Sequence, residues 1–360
     1  MAQRAGMASR LHQAWQTRSV VSIALRPLSW LAHAVAAGKR IVFRRGWKRS
    51  YRSQLPVIVV GNLYVGGTGK TPFLLAAIAA LQARGWQPGV VSRGYGVRVG
   101  KLPRAGCGQL DAAQFGDEPS LIAAETGVPV SVHPQRALAA QALIDQFPDV
   151  DVVLSDDGLQ HLALARDIEI LVEDARGIGN GLMLPAGPLR EPAARRGEVD
   201  AIVRNVGSDA LEPSTHDEAT DPRQVRMQVL PALARRLSDG TTSPLAALGQ
   251  QGGRIAAAAG IGQPERFFES LRRAGVRLAE TLSLPDHFDY AASPFEAVDA
   301  EIILITGKDA VKCADLRDPR LWVVPVSVQF SDPFFFDWLH ERLLTCSHDL
   351  DTPTHGYTTA

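Results

Sequence analysis

The first 110 residues of this chain contain no aspartate or glutamate, yet they carry 17 Lys and Arg. The remaining 250 residues hold 21 basic and 38 acidic side chains, so a net charge of zero conceals two oppositely charged parts. A basic part of this size calls for an anionic partner: membrane phosphates, nucleic acid or a nucleotide. Cysteine is scarce. Cys107, Cys313 and Cys346 are far apart and form no CxxC or Cys/His pair. This argues against a disulfide framework or a thiolate metal site and suits a reducing, cytoplasmic setting. An uninterrupted long apolar run is also missing. The best stretch, residues 19–37, is broken by Arg26-Pro27 and His33, whereas a spanning helix needs ~20 apolar residues with few charges. No clean cleavage site follows it, so a signal peptide is not indicated.

What is present fits a folded α/β protein. The hydrophobic fraction is 46%, the charged fraction 21%, and 360 residues allow two domains. Residues 38–52, GKRIVFRRGWKRSYR, mix seven basic side chains with Trp47 and Tyr51. Basic residues beside interfacial aromatics suit an anionic membrane surface better than nucleic acid. The plainer alternative is a helical arm packed on its own domain with a solvated basic face.

From residue 55 onward, strand and helix patterns alternate. Strands are expected over 56–60, 89–92, 128–132, 150–155, 168–172 and 201–206, with helices over 71–84 and 136–147. Such alternation implies a parallel sheet covered on both faces. Residues 207–250, rich in Pro, Ser, Thr and Asp, read as a connector. A second α/β unit follows, with strands over 254–259, 276–282 and 301–306 and a helix over 264–275. The expected organisation is a basic N-terminal arm (1–53), a P-loop core ending in the connector (54–250), a smaller C-terminal α/β domain (251–345) and a tail (346–360).

The most specific stretch is Val60-Gly-Asn-Leu-Tyr-Val-Gly-Gly-Thr-Gly-Lys-Thr-Pro72. It follows an apolar strand and opens a helix, as a phosphate-binding loop requires. Such a loop works through backbone N–H groups at a helix N-terminus, which glycines allow to wrap closely around anionic oxygens. Residues Tyr64, Val65, Gly66, Gly67, Thr68, Gly69, Lys70 and Thr71 are the expected nucleotide-binding set. Lys70 would meet the β- and γ-phosphates, and Thr71 would offer its hydroxyl to Mg²⁺. One position breaks the usual pattern: Tyr64 stands where a leading glycine is expected. No in-register guanine motif follows, because Thr306-Gly-Lys-Asp309 carries its lysine one place late. That favours ATP over GTP.

Other candidates lie at strand ends and turns. Asp156-Asp157 closes an apolar strand, where such folds place the magnesium partner, and His161 follows within a turn. An Asp-Gly turn with a capping role is the alternative. Asp117-Glu118 precedes a helix and suits either catalysis or capping. Arg93 in Ser92-Arg-Gly-Tyr-Gly96 and Arg190 in Gly187-Pro-Leu-Arg-Glu191 suit phosphate, and Glu191 suits a metal or a surface ion pair.

These segments, with Gly116-Asp-Glu-Pro119, Asp156-Asp-Gly-Leu-Gln-His161, Ala259-Gly-Ile-Gly262 and Asp286-His287, occur in an order that resembles the tetraacyldisaccharide 4'-kinase family of lipid A biosynthesis, over about residues 20–340. The family's loop also lacks the leading glycine. The resemblance implies transfer of phosphate from ATP, with Mg²⁺, to the 4'-hydroxyl of an acylated glucosamine disaccharide 1-phosphate, at the cytoplasmic face of the bacterial inner membrane. It implies no nucleic-acid partner and no obligate protein partner. Carried over by residue, Asp117 is the expected base, His287 its supporting histidine and Lys70 the third catalytic group. Thr71, Asp156, Asp157 and Glu191 are the candidate Mg²⁺ ligands, and Arg93 and Arg190 the phosphate-binding residues. Gly307 departs from the family, which often has Glu there. The competing reading from the residues alone is a switch-type P-loop NTPase acting on a protein partner.

Overall fold

The computed structural model describes residues 15–17, 19–207, 211, 223–231, 233–250, 253–313, 316–350 and 356–358. Its strands are, in chain order, β1 Ser50–Arg52, β2 Val57–Gly61, β3 Pro88–Ser92, β4 Arg104–Gly106, β5 Val130–Val132, β6 Val152–Asp156, β7 Ile168–Asp174, β8 Ala201–Asn205, β9 Arg223–Pro231, β10 Leu233–Arg236, β11 Thr242–Pro244, β12 Ile255–Ala259, β13 Leu278–Ser283, β14 Ile302–Thr306, β15 Leu321–Val324, β16 Val326–Phe330 and β17 Gly356–Thr358.

Nine of them form the larger sheet, in the order β16-β9-β8-β7-β2-β6-β3-β5-β4. All neighbours are parallel except the edge strands β16 and β4. Strand β2 shows why the sheet is doubly covered. Ile58 and Val60 point to one face, where Phe73, Leu74 and Ile78 of helix Lys70–Gln82 pack on them. Val57 and Val59 point to the other, against Ala139, Ala140 and Leu143 of helix Arg136–Gln146. A two-residue side-chain period buried on both sides reads as an unbroken apolar run, Val-Ile-Val-Val.

The second sheet has six strands, β11-β10-β15-β14-β12-β13, with a parallel centre. Two chain segments join the units. β9 pairs antiparallel with β16 in the first sheet, and their continuations β10 and β15 pair antiparallel in the second. This changes the expected organisation. Parts of residues 207–250 are strands that belong to both sheets, and 208–210 and 212–222 lie outside the described residues. Residues 326–350 return to the first unit: helix Phe335–Leu350 places Phe335, Leu339 and Leu343 on the face that holds Phe73. A four-residue spacing fixes a helical stripe but not the sheet it will meet.

The arm forms helices Val20–Ala24 and Arg26–Arg44. The Ser29 hydroxyl donates to the Met183 carbonyl at 2.8 Å, and Phe43 is buried. Leu28, Trp30, Leu31, Val35 and Ile41 remain exposed. No helix among the described residues is long and apolar enough to cross a membrane.

Candidate active site

The loop between β2 and helix Lys70–Gln82 is held from outside through its carbonyls. The Asn62 side chain donates to Tyr64 O at 2.7 Å and Gly66 O at 2.9 Å. Arg176 Nη2 donates to Gly67 O at 2.6 Å, and Asn205 Nδ2 to Thr68 O at 3.2 Å. Turning the carbonyls outward leaves the amides at the helix N-terminus for an anion. Gly69 caps that helix at φ 99°, and a Cβ there would fall 2.5 Å from Asn205 Nδ2. Both conformation and space demand glycine.

Tyr64 resolves the missing leading glycine. It avoids the left-handed backbone region and is only 2% exposed. The Arg176 guanidinium lies 4.2 Å above its ring, and Gln16 donates to its hydroxyl at 3.0 Å. Tyr64 therefore supports the loop from beneath. Its expected contact with nucleotide can come only from its backbone, because its side chain belongs to the interior. Val65 is likewise pinned, its N–H donating to Pro188 O at 2.9 Å.

Lys70 Nζ lies 3.6 Å from Asp157 Oδ1. Asp157 adopts φ 50°, a conformation rare outside glycine, and receives Arg190 at 2.7 and 2.9 Å. Burial opposes its ionisation, but Lys70 and then Arg190 hold its carboxyl below the usual range. Asp156, at the end of β6, is buried and accepts from Ser92 Oγ at 3.1 Å. Burial first, and then the charges of Glu118 and Asp157, push its carboxyl up to about 6. Glu191 is engaged elsewhere: Gln160 donates to it at 2.7 Å, and Arg195 lies 3.6 Å away. His161 is pushed down to about 4 by burial and by Arg136, Lys39 and Arg93. Arg93 is exposed. Thr71 stands in the first turn of the helix beside Lys70.

Asp117 opens helix Asp117–Thr126, and His287 comes from the second unit. His287 Nδ1 lies 2.8 Å from Asp117 Oδ2, and Lys312 Nζ lies 3.0 Å from the same oxygen. The Tyr95 and His287 rings are 5.4 Å apart. Glu118 pairs with Lys308, whose charge, with that of Lys70, holds its carboxyl down against burial. Asp157 and His287 are the non-glycine residues with positive φ among the described residues. Both belong to this site, where such strain is commonly kept for function.

The sequence reading missed several contributors. Asn62 directly follows β2 and Asn205 ends β8, positions that could have marked them as loop supports. Lys308 and Lys312, four residues apart, match the consecutive acids Asp117 and Glu118. The departure at Gly307 lies close to this contact: a Cβ there would meet Leu121 Cδ1 at 3.0 Å.

A family model described as tetraacyldisaccharide-1-P 4'-kinase matches residues 21–344. The chain belongs to the tetraacyldisaccharide 4'-kinase family. It is 56% identical over 336 residues to the tetraacyldisaccharide 4'-kinase of Bordetella parapertussis, covering 92% of this chain and 96% of that one. It is 44% identical over 349 residues to the kinase of that name from Herminiimonas arsenicoxydans, covering 92% and 95%. Among solved structures it resembles LpxK from Aquifex aeolicus in complex with ATP, with a TM-score of 0.75 and 26% identity over 91% of this chain and 99% of that one. Family membership thus extends across the arm helices and both sheets.

Proposed function

We propose that this chain transfers the γ-phosphoryl group of ATP to the 4'-hydroxyl of a tetraacylated glucosamine disaccharide 1-phosphate, giving the 1,4'-bisphosphorylated lipid A precursor. The observation that carries the reading is the Asp117–His287 contact of 2.8 Å. It brings a carboxylate from the phosphate-loop unit and a histidine from the second unit into one site. In the transfer, the acceptor oxygen forms its bond to the γ-phosphorus, the bond to the β–γ bridging oxygen breaks, and ADP leaves with that electron pair. The hydroxyl proton passes to Asp117, with His287 orienting the carboxylate. A free aspartate is a weak base, but phosphoryl transfer is loose and the proton can leave late. Lys70 offsets charge on the β- and γ-oxygens.

Magnesium fits this donor set. Asp156 is buried at the end of β6 next to Asp157, and burial first, then the charges of Glu118 and Asp157, oppose its ionisation more than Lys70 and Arg136 favour it, a balance that a divalent cation would reverse. Among the described residues, no group of three His, Cys, Asp or Glu side chains forms a self-sufficient metal cage. That is usual for a cation shared with phosphates and water. Thr71 and Asp156 or Asp157 would hold it, whereas Glu191 is committed to Gln160 and Arg195. Bound magnesium would screen phosphate charge.

The basic arm, with Leu28, Trp30, Leu31 and Val35 exposed on one side, suits the anionic cytoplasmic face of the inner membrane, where an acylated acceptor lies. Arg93, exposed immediately after β3, suits a phosphate of either substrate. The test is transfer of labelled γ-phosphate to the tetraacylated disaccharide 1-phosphate in detergent micelles. Labelled lipid with wild type and little with Lys70→Ala supports the kinase. Label released only as free phosphate, at a rate indifferent to lipid, would point instead to a switch-type NTPase.

A further inference from the structure

Asp117 receives two donors on one oxygen. His287 Nδ1 approaches Oδ2 at 2.8 Å, and Lys312 Nζ approaches the same atom at 3.0 Å. No hydrogen bond from the described residues goes to Oδ1. We propose that Lys312 is a positioning residue for phosphoryl transfer, fixing Asp117 through Oδ2 so that Oδ1 is the oxygen presented to the acceptor hydroxyl. The proposal rests on the reading that Asp117 takes that proton.

The physical case begins with rotation of the carboxylate. A single donor leaves it free to turn about its last side-chain bond. Two donors on one oxygen, arriving from different segments, fix both which oxygen is tied and the plane of the group. His287 comes from the loop after β13, and Lys312 follows the short helix Gly307–Ala310 after β14. Effective transfer depends on such alignment to within a fraction of an ångström.

Lys312 is itself well held. Its N–H donates to Asp309 O at 3.0 Å, and its ammonium lies 5.5 Å from the centre of the Tyr290 ring. The Tyr290 hydroxyl donates to Asp309 Oδ1 at 2.9 Å, and the Gly260 N–H donates to the same carboxylate. Gly260 also accepts from the His287 N–H at 3.3 Å. The buried Asp309 therefore ties together the supports of both donors. The side chains of Lys312 and Asp117 are each only 13% exposed. A pair this deep gains little stability over a well-packed apolar replacement. Holding the two units together does not require it either, because Lys308 already pairs with Glu118 next door. A catalytic geometry explains the charge better than adhesion does.

The test uses the full chain in mixed micelles with ATP and the tetraacylated disaccharide 1-phosphate. Wild type is compared with Lys312→Met, Lys312→Arg, Asp117→Ala and the double variant Asp117→Ala/Lys312→Met. Lys312→Met is expected to lower kcat about 10–100-fold, with KM for ATP within about 2-fold of wild type. Lys312→Arg is expected to recover most of the loss. In the Asp117→Ala background, Lys312→Met should add less than about 2-fold, because it acts through a carboxylate already gone. Should Lys312→Met not fold, Lys312→Gln carries the same comparison. Wild type that labels lipid, with Lys312→Met equally fast, overturns the proposal alone. So does an undiminished loss on top of Asp117→Ala, which would give Lys312 a role independent of that residue. Wild type that hydrolyses ATP without labelling lipid overturns both the kinase reading and the proposal.

Discussion

His287 Nδ1 and Asp117 Oδ2 meet at 2.8 Å although the residues lie 170 positions apart and belong to units built on different sheets. The contact makes the second unit part of the active site. Removal of the carboxylate should cost more than removal of its support. Asp117→Ala is expected to lower kcat by about 10²–10⁴, the usual range for a general base. His287→Ala should cost less, with KM for ATP little changed, since neither group belongs to the phosphate loop. Steady-state kinetics on the lipid acceptor decides this. A large rise in KM for ATP with unchanged kcat would assign the pair to nucleotide binding instead.

Gly69 gives a sharper steric prediction. Its φ of 99° and the 2.5 Å approach of Asn205 Nδ2 to a would-be Cβ leave no room for alanine. Gly69→Ala must either displace Asn205, which supports Thr68 O, or distort the first turn of the helix. Nucleotide affinity should fall by about 10-fold or more, since strain of ~1–3 kcal/mol would enter the binding conformation. Gly67→Ala is the comparison: no protein atom lies within 4 Å of its Cβ position and no unusual φ is required, so a loss there would report the approach of the nucleotide rather than strain in the loop. Titration of ATP against both variants tests the contrast. Equal affinities would mean that the loop rearranges freely.

Legibility of the sequence varied with how local the information was. β2, the loop and helix Lys70–Gln82 were readable because an apolar run, glycines and Gly-Lys-Thr sit within a few residues of one another. β10 and β11 are not legible because Leu-Ala-Arg-Arg and Thr-Ser-Pro are short segments with little burial, next to and at the edge of the second sheet. Residues 335–345 fall in the expected C-terminal domain and 346–350 in the expected tail, whereas helix Phe335–Leu350 packs on the first unit; its apolar stripe names no partner. In the site, the neighbours of Lys70 followed from strand ends. The pairing of Asp117 with His287 rested on family resemblance, since no periodicity links residues on two sheets. Lys312 is invisible for the same reason, and the inward turn of the Tyr64 side chain is not legible because a residue's place within a loop does not reveal which way its side chain points.

His161 predicts a pH effect on stability. Burial, then Arg136, Lys39 and Arg93, depress its imidazole to about 4. In the unfolded chain it would titrate near ~6.5. Between these values the unfolded chain binds the extra proton, so lower pH favours unfolding. The contribution is intact above about 6.5 and is progressively lost as pH falls toward about 4. His161→Gln removes this linkage. Its Tm relative to wild type should therefore rise as pH is lowered from 7.5 to 5, by about 2–4 °C once partial exposure is discounted. Parallel Tm profiles for the two proteins over that range would show that the imidazole is not depressed.

The arm supplies the last prediction. Trp30 and Leu31 are exposed, at 66% and 62%, on a helix whose opposite side reaches Met183 through Ser29. Because those two side chains do not pack on the sheet, Trp30→Glu with Leu31→Glu should leave Tm nearly unchanged. Burial of both in a lipid interface would contribute about 2–4 kcal/mol, so their replacement by carboxylates should weaken vesicle association by at least about 30-fold. Anionic vesicles should lose binding most, because new negative charge opposes the attraction that Arg44, Arg45, Lys48 and Arg49 provide. Co-sedimentation with anionic and neutral vesicles, compared at low and high salt, measures both components. Undiminished binding of the double variant would move the membrane-facing surface away from this helix face. The lipid kinase assay then has an independent expectation: activity on micellar acceptor should largely survive, whereas activity on acceptor embedded in vesicles should fall with binding.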